Sequence, residues 1–469
     1  MPFDAGADGA DGEAPDAAKP DDCNETADAI SPEAKGCAVD SFALFVDGEA
    51  GDDANDGSRA KPLKKIGSAI AQVGSTGKRR IYVCGAATYA EHLSVKTAVN
   101  LYGGFACASW EPDANAKPKV APSDKGYALH VDDVSAPIVV SDLELSAMDA
   151  GSLEDGTSSI AVFVNKAELT LLRTTVRASN GAKGAAGADG VSGAITSVSS
   201  GTNDAVGNSG SGATGGLFKE CTCSTSTVKT LGGVGGANGG GGGNGEPSYG
   251  ASAPKNGAGG IPGGGTCSGD GPGKDGANAP PAANAEAPTT HGTLAAEGWQ
   301  AAKGADATEN GKPGQGGGGG GAINTTTGGS GGGCGGCGGF AGKGSGGGGA
   351  SIALLVHEST VAVKASTLET KAGGAGGIAG AGGAGLSGGI AGLGQCLGGR
   401  GGDGANGGAG AGGAGGVSIG VLYKGTAPVL DDATTVAFGA VGAGGKGGKS
   451  PDNDGPGGVA EKTKDASQL

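Results

Sequence analysis

Between residues 374 and 416, glycine recurs in one register of three. Positions 374, 377, 380, 383, 389, 392, 398, 401, 404, 407, 410, 413 and 416 are all Gly, and the register fails only at Leu386 and Gln395. Residues 181, 184, 187, 190 and 193 keep the same spacing. A period of three matches neither the helical 3.6 nor the strand period of 2. It fits extended polyproline-II chain, with about 3.1 Å of rise per residue. Collagen shares the period but depends on proline, and 374–416 has none. The pattern predicts a bundle of extended passes packed through their Gly faces, joined by N–H···O bonds and Cα–H···O contacts. Leu386-Ser387 and Gln395-Cys396-Leu397 read as turns, which makes three passes. The alternative is a disordered linker, although the spacers are Ala and Gly rather than Ser and charges. Through 229–350 the register is broken and the case for order weakens. The Ala/Pro-rich stretch 270–312 reads as loop.

Of 109 glycines, 93 follow residue 180. A glycine has no side chain to bury and loses the most backbone entropy on folding. The apolar core must therefore come from other segments, and three of them repeat. SIAVFVNKAELTLLRTTVRASNG (159–181) aligns without a gap on SIALLVHESTVAVKASTLETKAG (351–373), 192 residues later. SIGVLYKGTAPVLDDATTVAFGAVG (418–442) follows with one inserted residue. Ile160, Val162, Val164, Leu169, Leu171 and Val176 alternate in the first copy. Ile352, Leu354, Val356, Val361, Val363 and Leu368 take the same places in the second. The third has Ile419, Val421, Tyr423, Val429 and Val436, with Asp431 where an apolar residue is expected. A looser copy runs from Tyr127 to Leu145. Period-two runs between polar corners predict short strands with one buried face. Such a unit is too small to bury its own face and needs copies above and below it. The expected fold class is all-β, a parallel β-helix solenoid with glycine-rich bundles inserted between coils. Three hairpins of a β-sandwich are the alternative. The glycine excursions leave from one point of the repeat, so they project from one edge.

The N-terminal part adds a resemblance. FALFVDGEAGDDANDGSRAKPLKKIGSAIAQV (42–73) runs strand, acidic turn, Lys-Pro and amphipathic helix. RIYVCGAATYAEHLSVKTAVNLYGGFA (80–106) follows with G-x-x-x-Y-x-E and L-Y-G-G-F phrases. Together they resemble the opening of pectin-lyase-like right-handed parallel β-helix proteins, bacterial surface members in particular. The resemblance covers roughly residues 42–180 and returns in the two later repeats. It implies a right-handed solenoid with an N-terminal capping helix, and says little about function. The glycine-rich part is similar to PGRS-like surface proteins. The expected organisation is an acidic disordered tether (1–40), cap and coils (41–180), a long glycine-rich insertion (181–350), a coil (351–372), a glycine-rich bundle (373–416), a coil (417–441) and a glycine-rich tail (442–469).

The net charge is −15 and the Lys and Arg are scattered, so nucleic-acid binding is not expected. No apolar run approaches the about 20 residues of a membrane-spanning helix. A signal-peptide core is also missing. The acidic 3–22 therefore reads as the start of a trimmed form, its export signal and any lipid or peptide tether removed. The ten cysteines are Cys23, Cys37, Cys84, Cys107, Cys221, Cys223, Cys267, Cys334, Cys337 and Cys396. Cys334-x-x-Cys337 has no second knuckle and no nearby His, so disulfides in an oxidising, extracellular or cell-surface setting are expected over zinc. Cys23 with Cys37 and Cys84 with Cys107 are the local pairings expected. Cys334 and Cys337 would close on each other or tie to Cys396 or Cys267.

Catalytic signals are sparse. Gly51-Asp52-Asp53 echoes a polysaccharide-hydrolase phrase without its partner phrases. Asp132-Asp133 and Asp431-Asp432 could share a face as acid and base. Asp52, Asp53, Asp56, Asp452 and Asp454 are candidate calcium ligands, with turn chemistry as the competing role. No cofactor is expected other than calcium at these carboxylates. No nucleophile elbow or phosphate loop occurs. The expectation is a non-enzymatic structural or adhesive surface protein that binds an extracellular glycan, protein or matrix through its glycine-rich projections. A polysaccharide lyase or hydrolase is the first alternative, and an ice-binding protein the second.

Overall fold

The computed structural model describes residues 38–201, 204–249, 256–262 and 266–469. The acidic segment 1–37, with Cys23 and Cys37, lies outside the described residues. The chain is mostly β, and three parallel sheets carry its core. The first sheet stacks Ala43–Asp47, Arg80–Cys84, Asn100–Phe105, Ile138–Ser141, Glu168–Leu172, Thr360–Lys364 and Val429–Leu430. The second stacks Leu93–Val95, Leu129–Asp132, Ser159–Asn165, Ser351–His357, Ser418–Lys424 and Ala460–Asp465. The third stacks Thr88–Tyr89, Lys119–Val120, Glu144–Ser146, Thr175–Arg177, Thr367–Glu369 and Thr435–Ala437. From residue 93 onward the chain visits the second, first and third sheets in that order and then begins again. The two aligned repeats pair strand for strand, as in Ile160 with Ile352, Leu169 with Val361 and Val176 with Leu368.

Alternating residues of the first two copies build one inner core, and Val421 of the third joins it, but Val429 is 69% exposed and Leu430 packs inward in its place. Val162, Val164, Leu169, Leu171 and Val176 meet Leu354, Val356, Val361, Val363 and Leu368 in that core. Ile160, Ile352 and Ile419 depart from the expected alternation. They join Phe163, Leu355 and Leu422 in an outer cluster, which contains Leu294 of the hairpin Gly292–Ala295/Gly298–Ala301. Apolar residues on both faces of Ser159–Asn165 reflect that second cover. Helix Ile66–Thr76 buries Ile66, Ala69 and Val73 and ends at Gly77, φ 70°. The Glu91 carboxylate accepts from the N–H groups of Ile66 and Gly67, satisfying two orphan donors at the helix start. Corners repeat as well. Asp133, Lys166 and Glu358 take left-handed φ of 53°, 49° and 47° at one, and Asp142, Arg173 and Ala365 take 56°, 51° and 47° at the next.

Among the described residues, the glycine segments form ordered passes whose hydrogen bonds recur every third residue. Gly181, Gly184, Gly187 and Gly190 donate to the carbonyls of Ala372, Ala375, Ile378 and Ala381. Gly374, Gly377, Gly380 and Gly383 donate to Gly349, Gly346, Lys343 and Phe340, running the opposite way. The innermost pass is 316–321. Its N–H groups go in rotation to three neighbours: Gly316 and Gly319 to Glu246 and Gly243, Gly317 and Gly320 to Gly333 and Ser330, Gly318 and Gly321 to Lys274 and Gly271. Its carbonyls accept from three more, through Gly233, Gly260 and Gly399. Six neighbours around one pass leave no room for a side chain. A Cβ at any of these six positions would lie 1.8 to 2.3 Å from a neighbouring carbonyl oxygen.

Residues 374–393 form one pass, so 374–416 makes two passes rather than three. Leu386 donates to Cys337 in the same register as Gly383 and Gly389. Cβ atoms at Gly383 and Gly389 would strike the carbonyls of Val191 and Ala205. Between those two the neighbouring pass leaves for strand Ile195–Val198, and Leu386 occupies the opening. The stretch 273–285 is a pass and not a loop: Gly273, Gly276, Ala279 and Ala285 donate to Leu397, Arg400, Asp403 and Ala409. Pro280 and Pro281 fall between donor positions, where a missing N–H costs nothing. A pass with fewer neighbours needs fewer glycines, which is why the broken register there misleads. The segment after 442 is no tail either, since Ala460–Asp465 returns to pair with Ser418–Lys424.

Candidate interaction face

Strands Thr175–Arg177, Thr367–Glu369 and Thr435–Ala437 lie side by side in the third sheet. Each runs on directly into a glycine pass: 181–193, 373–393 and 440–448 respectively. The three passes stay parallel and adjacent, since Gly373 and Gly376 donate to Ala440 and Ala443 as Gly181 and Gly184 donate to Ala372 and Ala375. The middle pass rests on 331–349 and 401–416 beneath it. Its third row of positions therefore has no neighbour and points outward. That row reads Ala372, Ala375, Ile378, Ala381, Ala384, Ser387, Ile390 and Leu393. Ile378, Ile390 and Leu393 are 53%, 62% and 77% exposed, and Val191 on the flanking pass is 65% exposed. Ile390 and Leu393, three residues apart, form an exposed aliphatic pair on a flat, hydrogen-bonded base, with Ile378 about 37 Å away along the same row.

Side chains supply acceptors at several positions where a pass lacks a backbone partner. Asp189 Oδ1 accepts from Ala381 N–H at 2.8 Å and Asn406 Oδ1 from Gly385 N–H at 2.9 Å. Asp403 Oδ1 does the same for Gly388 at 3.0 Å, and Ser345 Oγ for Gly413 at 2.8 Å. On the third sheet a ladder of charges crosses the strands. Lys119 meets Glu144 at 2.9 Å, Arg177 Nη1 meets Glu144 at 3.0 Å, and Arg177 Nε meets Glu369 at 2.8 Å. Burial pushes the Glu144 carboxyl up, but Lys119, Ser146 and Arg177 together bring it below its ordinary value.

Disulfides clamp the bundle. Cys221–Cys334 and Cys223–Cys337 join strand Lys219–Cys223 to the pass 331–349, and Cys267 pairs with Cys396. The expected link from Cys334 or Cys337 to Cys396 or Cys267, or to each other, is thus overturned. Alternate residues Cys221 and Cys223 share one face of their strand, and residues three apart share one face of a three-fold pass, so the two spacings match. Cys84–Cys107 forms as expected. Their bonded sulfurs lie near Asp47, and a disulfide offers no thiolate to a metal.

The candidate acids do not come together. Asp132 ends its strand at one corner, where Asn165 Nδ2 donates to it at 2.9 Å and His357 Nδ1 bonds Asn165 Oδ1 at 2.8 Å. Asp133 is the left-handed residue after it. Asp431 lies at the other corner and accepts from Ala365 N–H and Thr434 Oγ1 at 3.0 and 2.7 Å, with Asp432 exposed beside it. The calcium candidates serve turns. Asp52 accepts from Ala54, Asp53 from Lys64 and Lys65, and Asp56 from Ser58. Asp454 accepts from Gly447, Ser450 and Lys446, and Asp452 is exposed nearby. A cleft of about 750 Å³ lies between the hairpin and the second sheet, lined by Tyr127, Asp155, Trp299, Gln300 and Lys303 among others. Lys125 and Thr157 hold the Asp155 carboxyl down at about 2, so it stays ionised and unsuited to general-acid work.

Comparison with protein-family models, curated proteins and solved structures returned no match.

Proposed function

We propose that the protein is a secreted or surface-attached structural and adhesive protein. Its stem is a right-handed parallel β-helix of the pectin-lyase-like kind, and its glycine segments form a polyglycine-II-type bundle, as in PGRS-like surface proteins. The carrying observation is the outward row of the middle pass, which continues the third sheet and presents Ile378, Ile390 and Leu393 to solvent. The four disulfides among the described residues suit an oxidising compartment. No helix among the described residues is long and apolar enough to cross a membrane. A backbone locked by regular hydrogen bonds presents such a row without ordering cost on binding. The test is retention on heparin-, mucin- and collagen-coated surfaces. Replacing Ile378, Ile390 and Leu393 together by Ser is expected to lower retention by about tenfold or more, about 1.4 kcal/mol, with circular dichroism unchanged. Undiminished retention by the triple variant would remove the face from the binding mechanism.

One observation favours ice as a second ligand. Residues three apart on the row stand roughly 9 Å apart, a regular spacing of small and apolar groups on a flat base. Thermal hysteresis in a solution of the full chain decides it, and a melting gap indistinguishable from buffer ends this reading.

A further inference from the structure

We infer that the face of the middle pass is the contact between two copies of this chain, packed face to face about a two-fold axis parallel to the passes. The inference rests on reading that face as the working surface and names its partner. Three observations carry it. The first is area. The row from 372 to 393 is about 65 Å long at about 3.1 Å per residue. The two to three passes beside it, about 4.8 Å apart like other hydrogen-bonded strands, make a surface on the order of 800 Å². A stable association buries about that much per partner.

The second observation is pitch. A second copy presents the same repeat, so an axis along the middle pass brings Ile378, Ile390 and Leu393 each opposite itself, at matching heights along the whole row. No other partner is guaranteed the same spacing. The third is charge. Asp189 on one flanking pass accepts from Ala381 N–H. Lys446 on the other accepts, through its carbonyl, from Ala379 N–H. The two residues therefore stand within two residues of the same height, on opposite sides of the row. Rotation about the proposed axis lays each flanking pass over the opposite one. Asp189 of one copy then faces Lys446 of the other, twice per dimer. Lys446 pairs with Asp454 at 2.7 Å yet keeps 66% of its side-chain surface exposed, so it can serve both carboxylates. Such an isologous contact closes on itself and does not grow into a filament. Because Ala, Ser and Ile stand where further passes would add, the bundle also resists lateral extension by bare glycine chain.

Sedimentation equilibrium of the full chain is the test, at concentrations up to about 200 μM, where a contact of about −5 kcal/mol is visible. The expected species has twice the 43.5 kDa chain mass. Ile390→Asp, at an exposed position, should weaken association at least about a hundredfold, and Asp189→Lys about tenfold. The double exchange Asp189→Lys with Lys446→Asp should restore most of that loss. Ser387→Cys, on the axis, should give a reducible covalent dimer. A wild-type chain that stays monomeric overturns the inference, and so does a dimer indifferent to Ile390→Asp. A double exchange that fails to recover overturns the axis. The adhesion reading fails separately: a monomer retained on coated surfaces leaves it standing, and a dimer without retention removes it.

Discussion

At the scale of single residues, glycine here is a demand of crowding rather than a licence for flexibility. A Cβ at Gly319 would lie 1.9 Å from the Val234 carbonyl oxygen, whereas one at Gly457 would meet nothing within 4 Å. Gly319→Ala is therefore expected to cost at least about 3 kcal/mol, at or beyond the usual range for overpacking. Gly457→Ala should be neutral or stabilising by up to about 1 kcal/mol. Chemical denaturation of the two variants measures both, and equal effects would mean that 316–321 is not the crowded centre. Glu144 supplies a pH-dependent contribution. Its folded value lies below the unfolded 4.5, so its stabilisation is complete above that pH and is lost as pH falls below it. Glu144→Gln should flatten the fall of stability between about pH 5 and pH 3. An unchanged slope would assign the acid sensitivity to other carboxylates.

At the scale of elements, the bundle and its disulfides act together. Cys221–Cys334 and Cys223–Cys337 span 113 and 114 residues, and each closes nearly the same loop. With one in place, the other closes only a few residues, worth about 2 kcal/mol of chain entropy. Removing Cys223 and Cys337 alone is thus expected to cost about 2 kcal/mol, and removing all four cysteines a further 5 or so. Equal steps would show that the two bonds constrain different segments. The strands were legible in the sequence because alternation reports one buried face, and Val162, Val164, Leu169 and Leu171 do point inward. Ile160 departs from it because the consecutive residues Ala161 and Val162 both join the inner core, which shifts Ile160 to the outer cluster. The pass 273–285 was hidden for a related reason. At the rim Ala and Pro satisfy the same geometry, and the period of three fades. The pairing of Cys334 with Cys221 was not readable, since the partners lie 113 residues apart in sequence.

At the scale of the whole molecule, parallel circuits and extended glycine passes solve one problem in two ways. A circuit buries side chains inside itself, and its neighbours complete its backbone bonds. A pass has no side chains to bury and is held by six neighbours or by a covered edge. The outward face follows from joining the two, because strands Thr175–Arg177, Thr367–Glu369 and Thr435–Ala437 run straight into adjacent passes. Local sequence determined the strand positions, the departure points of the glycine excursions and the period of three, since each depends on which side chains a segment can bury or must lack. Tertiary structure alone decided which pass is central, which row of residues faces solvent, which cysteines meet and where the acids lie. Those depend on how many neighbours surround a segment, and that number is a property of the packed bundle rather than of any stretch within it.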